Sequence, residues 1–137
     1  ETVGLRMKQH CSNAEKVVEF LNTHKKVKNV IYSTNHQGVV LDRAKKYLKG
    51  GNGALVGIDL GTVEAGAKFI NNLKMLYHVA NIGDARSLAI HPASTTHSQL
   101  TPEEQLAAGV TPGYVRLSIG IEHPDDIISD IKQALAA

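Results

Sequence analysis

The sequence predicts an α/β domain, built as an α+β two-layer sandwich, on three observations. Segments with helical apolar spacing alternate with short β-branched runs. Glycine, proline and capping residues punctuate the joints between them. The 137 residues are enough for one hydrophobic core and do not require a second. We therefore read 1–137 as a single domain.

The first element is a long amphipathic helix from Val3 to about Asn22, because Met7, Cys11, Ala14, Val18 and Leu21 recur at spacings of four and three. The chain opens on Glu1 and runs straight into this helix. A helix of that length would overhang a small domain, so residues 1–24 are expected to link to a preceding segment. Val27 to Tyr32 reads as a strand, and Val39 to Leu48 as a helix with Val39, Val40, Ala44, Tyr47 and Leu48 inward. Gly50 to Gly53 closes that helix. These glycines lead from a helix into a strand, the reverse of a phosphate loop.

Ala54 to Leu60 is the next strand. Thr62 is placed to cap a helix over Val63–Leu73, with Ala67, Phe69, Ile70 and Leu73 as its core face. Met75–Val79 and Ser87–Ile90 read as strands on either side of a polar turn. Thr101-Pro102-Glu103-Glu104 is a capping box opening a short helix that ends at Gly109. In Tyr114–Ile119, Val115, Leu117 and Ile119 alternate with Arg116 and Ser118, which places the two polar residues on the opposite face. Pro124-Asp125-Asp126 starts a final helix with Ile127, Ile128, Ile131 and Leu135 inward, its carboxylates at the positive end of the helix dipole.

Composition excludes several classes. Residues 1–50 carry ten Lys or Arg against four Asp or Glu, a net of +6, while residues 51–137 carry five against nine, a net of −4. The basic half is spread over helix faces, without interleaved aromatics to stack bases, so no nucleic-acid partner is expected. No apolar run approaches the roughly 20 residues of a membrane span; no membrane partner is expected and a cytoplasmic location is. Cys11 is the lone cysteine, which excludes an intrachain disulfide and fits a small core residue. The seven histidines lack carboxylate or thiolate neighbours at ligand spacing, so no metal site is expected. His91, before Pro92, reads as an extended, hydrogen-bonded structural residue.

The polar stretch from Asn81 to His97 is where a site is expected, since ordered loops held on a scaffold carry function. Arg116 is the other candidate. A guanidinium in a strand with apolar neighbours needs a partner, because an unpaired buried charge costs several kcal/mol. That partner is either an internal carboxylate such as Asp84, which the residues alone favour, or the carboxylate or phosphate of a ligand held bidentately.

Asn81-Ile82-Gly83-Asp84, the run Ser87-Leu88 to Ser98 through His91-Pro92-Ala93, and Val115-Arg116-Leu117-Ser118-Ile119-Gly120-Ile121-Glu122 before Asp125-Asp126 resemble the C-terminal domain of the pyridoxal-phosphate enzymes of cysteine and methionine metabolism. Leu5-Arg6-Met7 with His10-Cys11 resembles that family's helix between cofactor domain and C-terminal domain. The Asn-Ile-Gly-Asp form and Leu106 to Pro112 are most similar to the O-acetylhomoserine sulfhydrylases of the family.

The resemblance implies the small C-terminal domain of the aspartate-aminotransferase-like fold, fold type I. It also implies an enzyme that makes homocysteine from O-acetylhomoserine and sulfide, with pyridoxal phosphate as the electron sink. A cystathionine γ-synthase, a methionine or cystathionine γ-lyase, and a non-catalytic stand-alone binding module are the alternatives. Arg116, by the resemblance, binds the substrate α-carboxylate and Asn81 helps hold it, with Asp84 and Ser87 bracing the turn from behind. No residue of the chain is implied as catalytic, cofactor-binding or metal-binding. The Schiff-base lysine and the other cofactor residues belong to an upstream cofactor domain absent from the chain, so the chain alone is expected to be inactive. The complete enzyme is expected to be a homo-oligomer, a tetramer.

Overall fold

A computed structural model describes residues 1–137. Five helices, α1 (Val3–Asn22), α2 (Val39–Tyr47), α3 (Val63–Asn72), α4 (Pro102–Ala107) and α5 (Pro124–Ala136), alternate with five strands. The strands are β1 (Asn29–Ile31), β2 (Leu55–Asp59), β3 (Tyr77–His78), β4 (Leu88–Ile90) and β5 (Tyr114–Ser118), in the spatial order β1-β2-β5-β4-β3. Neighbours are antiparallel except β3 and β4. The mixed α/β architecture is the one the sequence predicts.

Strand alternation separates two faces. Val30 pairs with Ile58, Ile58 with Val115, and Leu117 with Val56 on one side and Ala89 on the other. All six join one core with Val17 and Leu21 of α1, Phe69 and Ile70 of α3, and Ile127, Ile131 and Leu135 of α5. This is the second layer of the sandwich. On the opposite face the row runs Ile31, Gly57, Arg116, Ile90 across four strands, turned away from the core that α1, α3 and α5 cover.

The ends of the elements follow local chemistry. Thr62 Oγ1 accepts from the Ala65 amide at 3.1 Å to cap α3, and both arms of the capping box at Thr101 and Glu104 are made. The Asp125 amide donates to His123 Nδ1 at 3.3 Å at the start of α5. Asp130, in the middle of α5 and buried, accepts from the amides of Lys74, Met75 and Leu76 at 2.8–3.0 Å. Burial pushes this carboxyl up, but the three N–H donors and Gln133 outweigh it and leave it below its ordinary value. One side chain thereby pins the approach to β3 onto a helix.

Two expectations are corrected. The face of α2 read as inward is exposed: Val39 is 63% and Tyr47 68% accessible, and only Ala44 is buried. The helix lies beyond edge strand β1 and packs chiefly on the short turn Ser33–Asn35, so its apolar stripe has nothing within the chain to cover it. The seam of α1 is likewise buried only from His10 onward, with Met7 exposed. Cys11 is buried and His91 is extended and hydrogen-bonded, as expected.

The segment between β3 and β4 takes a course that its residues alone do not fix. A turn between consecutive short strands suggests a hairpin, yet β3 and β4 are parallel. Residues 79–87 must therefore travel back along the sheet before β4 begins, a crossover made without a helix.

Candidate functional site

The crossover brings its first residues over the open face of β5. Arg116 projects there between Gly57 and Ile90, and its Nη2 donates to the Asn81 carbonyl at 3.1 Å. On the β2 side Gly57 makes room for the Tyr114 ring, which an added Cβ would meet at 2.6 Å. Arg116 Nε is buried and has no hydrogen-bond partner. The Asn81 side chain accepts from the Ile82 amide at 2.8 Å and uses its NH₂ group for no bond within the chain. The site thus presents a cation without a counter-charge next to a neutral amide, groups whose chemistry suits a small anion.

Burial pushes the Tyr114 phenol up, and the positive charge of Arg116 works against that shift. No carboxylate pairs with Arg116. Asp84, the internal partner favoured by the residues alone, instead takes Arg86: their ion pair spans 3.3 Å, and Asp84 Oδ1 accepts the Arg86 amide at 2.9 Å. Hydrogen bonding from Arg86 holds Asp84 below its ordinary value. Arg86 is itself stacked over the Tyr77 ring, 4.7 Å from its centroid. The local pair wins because Asp84 and Arg86 sit two residues apart in one turn, where closure costs little chain entropy.

Ser87, fully buried, donates its amide and hydroxyl to Glu122 at 2.6 and 2.9 Å. Its Oγ accepts from the Gly120 amide at 2.8 Å. The four residues singled out in the sequence therefore fall into two groups. Asn81 and Arg116 meet on the open face, while Asp84 and Ser87 hold the crossover that delivers Asn81. Ser118, read as a companion of Arg116, is buried and lines a cavity of about 350 Å³ with Met7, His10, Leu55, Ile82 and Gly83.

Three residues that sequence reasoning did not single out complete the frame. His10 Nδ1 donates to the Ile119 carbonyl at 2.6 Å, and Asn13 Nδ2 donates to the carbonyls of Gly120 and Glu122 at 3.0 and 2.7 Å. Glu122 is the third. Each bond joins positions far apart in the chain, so no local spacing could have revealed it. His91, buried in the same polar stretch, is held by Ser94 Oγ at 2.8 Å and the Pro112 carbonyl at 2.7 Å, which leaves it no nitrogen for a ligand.

A cofactor that forms a Schiff base needs an enclosed amine. Every lysine of the chain is exposed, and no group of three His, Cys, Asp or Glu is placed to hold a metal. The residues present do not fit pyridoxal phosphate as a covalent partner. No helix is long and apolar enough to cross a membrane.

Comparison with known proteins places these features in one family. The family described as Cys/Met metabolism PLP-dependent enzyme matches residues 1–136. The chain is 53% identical to an O-acetyl-L-homoserine sulfhydrylase of Leptospira meyeri, covering 98% of this chain and 31% of that protein. It is 47% identical to an L-methionine gamma-lyase of Fusobacterium nucleatum subsp. polymorphum, covering 98% and 34%. The crystal structure of a protein described as an O-acetylhomoserine (thiol)-lyase from Campylobacter jejuni, with N'-pyridoxyl-lysine-5'-monophosphate, superposes with a TM-score of 0.92 at 42% identity, over 99% of this chain and 32% of that one. The chain thus spans about a third of the length of the relatives it matches. With the match running through almost every residue, the chain belongs to the pyridoxal-phosphate-dependent enzymes of cysteine and methionine metabolism.

Proposed function

We propose that residues 1–137 are the C-terminal domain of an O-acetylhomoserine sulfhydrylase, with 1–24 linking it to an upstream cofactor domain, and that Arg116 and Asn81 bind the α-carboxylate of the amino-acid substrate. The observation that carries this reading is Arg116 itself, on the face of the sheet turned away from the main core, with an Nε lacking any partner in the chain and no carboxylate in reach. A ligand carboxylate on the guanidinium would pair its charge and offset the cost of leaving it unpaired. Pyridoxal phosphate, held by the rest of the enzyme, supplies the electron sink for replacing acetate by sulfide at Cγ.

The part played by this chain is orientation. A guanidinium held at one edge by the Asn81 carbonyl accepts a carboxylate in one plane only. Fixing two oxygens on Cα restricts how the Cα–H bond can point, which is a positional contribution and not proton transfer. Asp84 and Ser87 act behind this pair by holding the crossover. The 53% identity to a sulfhydrylase favours that reaction. Because a γ-lyase stands close at 47%, γ-elimination from methionine is the second reading.

In the complete enzyme, Arg116→Lys is expected to raise KM for O-acetylhomoserine by about tenfold or more, since an ammonium cannot reproduce the fork. An unchanged KM counts against the assignment. Turnover of O-acetylhomoserine with sulfide, compared with turnover of methionine alone, separates the two reactions.

A further inference from the structure

The four residues that follow β5, Ile119 to Glu122, receive bonds from two separate parts of the chain. From α1 come His10, to the Ile119 carbonyl, and Asn13, to the Gly120 and Glu122 carbonyls. From the crossover come the Ala85 carbonyl, which accepts the Ile121 amide at 2.8 Å, and Ser87, whose Oγ accepts the Gly120 amide. Glu122 closes the set: its chain turns back so that both carboxylate oxygens are taken by Ser87, at 2.6 and 2.9 Å. The fit leaves no slack. A Cβ on Gly120 would overlap the Glu122 carboxylate, the Ala85 carbonyl and the Arg86 backbone.

Asn81 and Arg116 lie one on each of the two segments this clamp joins, six residues before Ser87 and six before Glu122. Only the Arg116 bond to the Asn81 carbonyl joins them directly, and Asn81 is exposed. The crossover has no helix of its own to hold its course. We propose that Glu122 is a positioning residue: by gripping Ser87 it sets the course of residues 81–87 over β5, and so the separation of Asn81 from Arg116. This rests on the reading that these two residues hold the substrate carboxylate.

Loosening the carboxylate's seat weakens substrate binding and also frees the Cα–H bond to point away from its productive direction, so it should raise KM and lower kcat together. In the complete enzyme, Glu122→Ala is expected to raise KM for the amino-acid substrate by about tenfold and to lower kcat as well. Glu122→Gln, which can still meet both Ser87 groups, should stay within about threefold of the parent. Asp130→Asn removes an equally well-bonded carboxylate far along α5; it should lower Tm and leave KM unchanged. Should Glu122→Ala fail to fold, Ser87→Ala carries the same test with a rise of about threefold, because the amide contact survives.

A parental KM in Glu122→Ala, or in Ser87→Ala where that variant stands in, overturns the inference while Arg116→Lys still raises KM. An equal rise in Asp130→Asn also overturns it, since general loosening would then suffice. A parental KM in Arg116→Lys removes the carboxylate reading, and the inference with it.

Discussion

The two faces of the sheet are made by the same five strands and obey different rules. On the helix-covered face Val56, Ile58, Val115 and Leu117 have no accessible surface and belong to one apolar cluster with α1, α3 and α5. On the open face the row Ile31, Gly57, Arg116, Ile90 contains a missing side chain and a cation with an unsatisfied nitrogen. One residue of offset along β5 separates the two. The comparison teaches that stability and ligand readiness are partitioned by strand parity: the covered face supplies the folding energy, and the open face is free to be energetically poor.

Leu117→Ala should break the covered face with the largest effect, destabilising the chain by about 3 kcal/mol through lost burial and a residual cavity at the sheet centre, read as a lower urea midpoint at unchanged slope. Asp130→Asn tests the polar pin at the margin of the same layer and should cost about 2 kcal/mol at neutral pH. The carboxyl lies below its ordinary value in the folded state. Its contribution is therefore complete above the unfolded aspartate range, near 3.9, and is lost as pH falls through the lower folded value. Acid titration of stability should be correspondingly flatter in the variant.

Arg116→Met on the open face should change stability by no more than about 0.5 kcal/mol, and in the favourable direction, because it removes a buried donor without a partner. A loss comparable to that of Leu117→Ala would show that the two faces are not partitioned in this way. The smallest stability effect thus coincides with the residue expected to matter most for substrate.

Much of the scaffold was legible in the sequence because its signals are local. The caps at Thr62 and Thr101, the alternation in β5 and the apolar stripe of α5 each depend on residues within a few positions of one another. The exposed stripe of α2 shows where that logic stops: periodicity reveals that a face is apolar, not that anything covers it. The same holds for Asp84, whose charge was readable while its choice of Arg86 over Arg116 was not.

The sequence by itself determined most of the elements and the main core and, through its family motifs, pointed to Asn81 and Arg116 as candidates. The tertiary structure decided how those two meet. β3 and β4 run parallel, so the segment between them has to cross the sheet, and that crossing lays Asn81 beside a residue 35 positions later. It also decided that Ser87 is gripped by Glu122. Both outcomes depend on chain topology and on bonds between distant positions, which leave no periodic trace in the order of the amino acids.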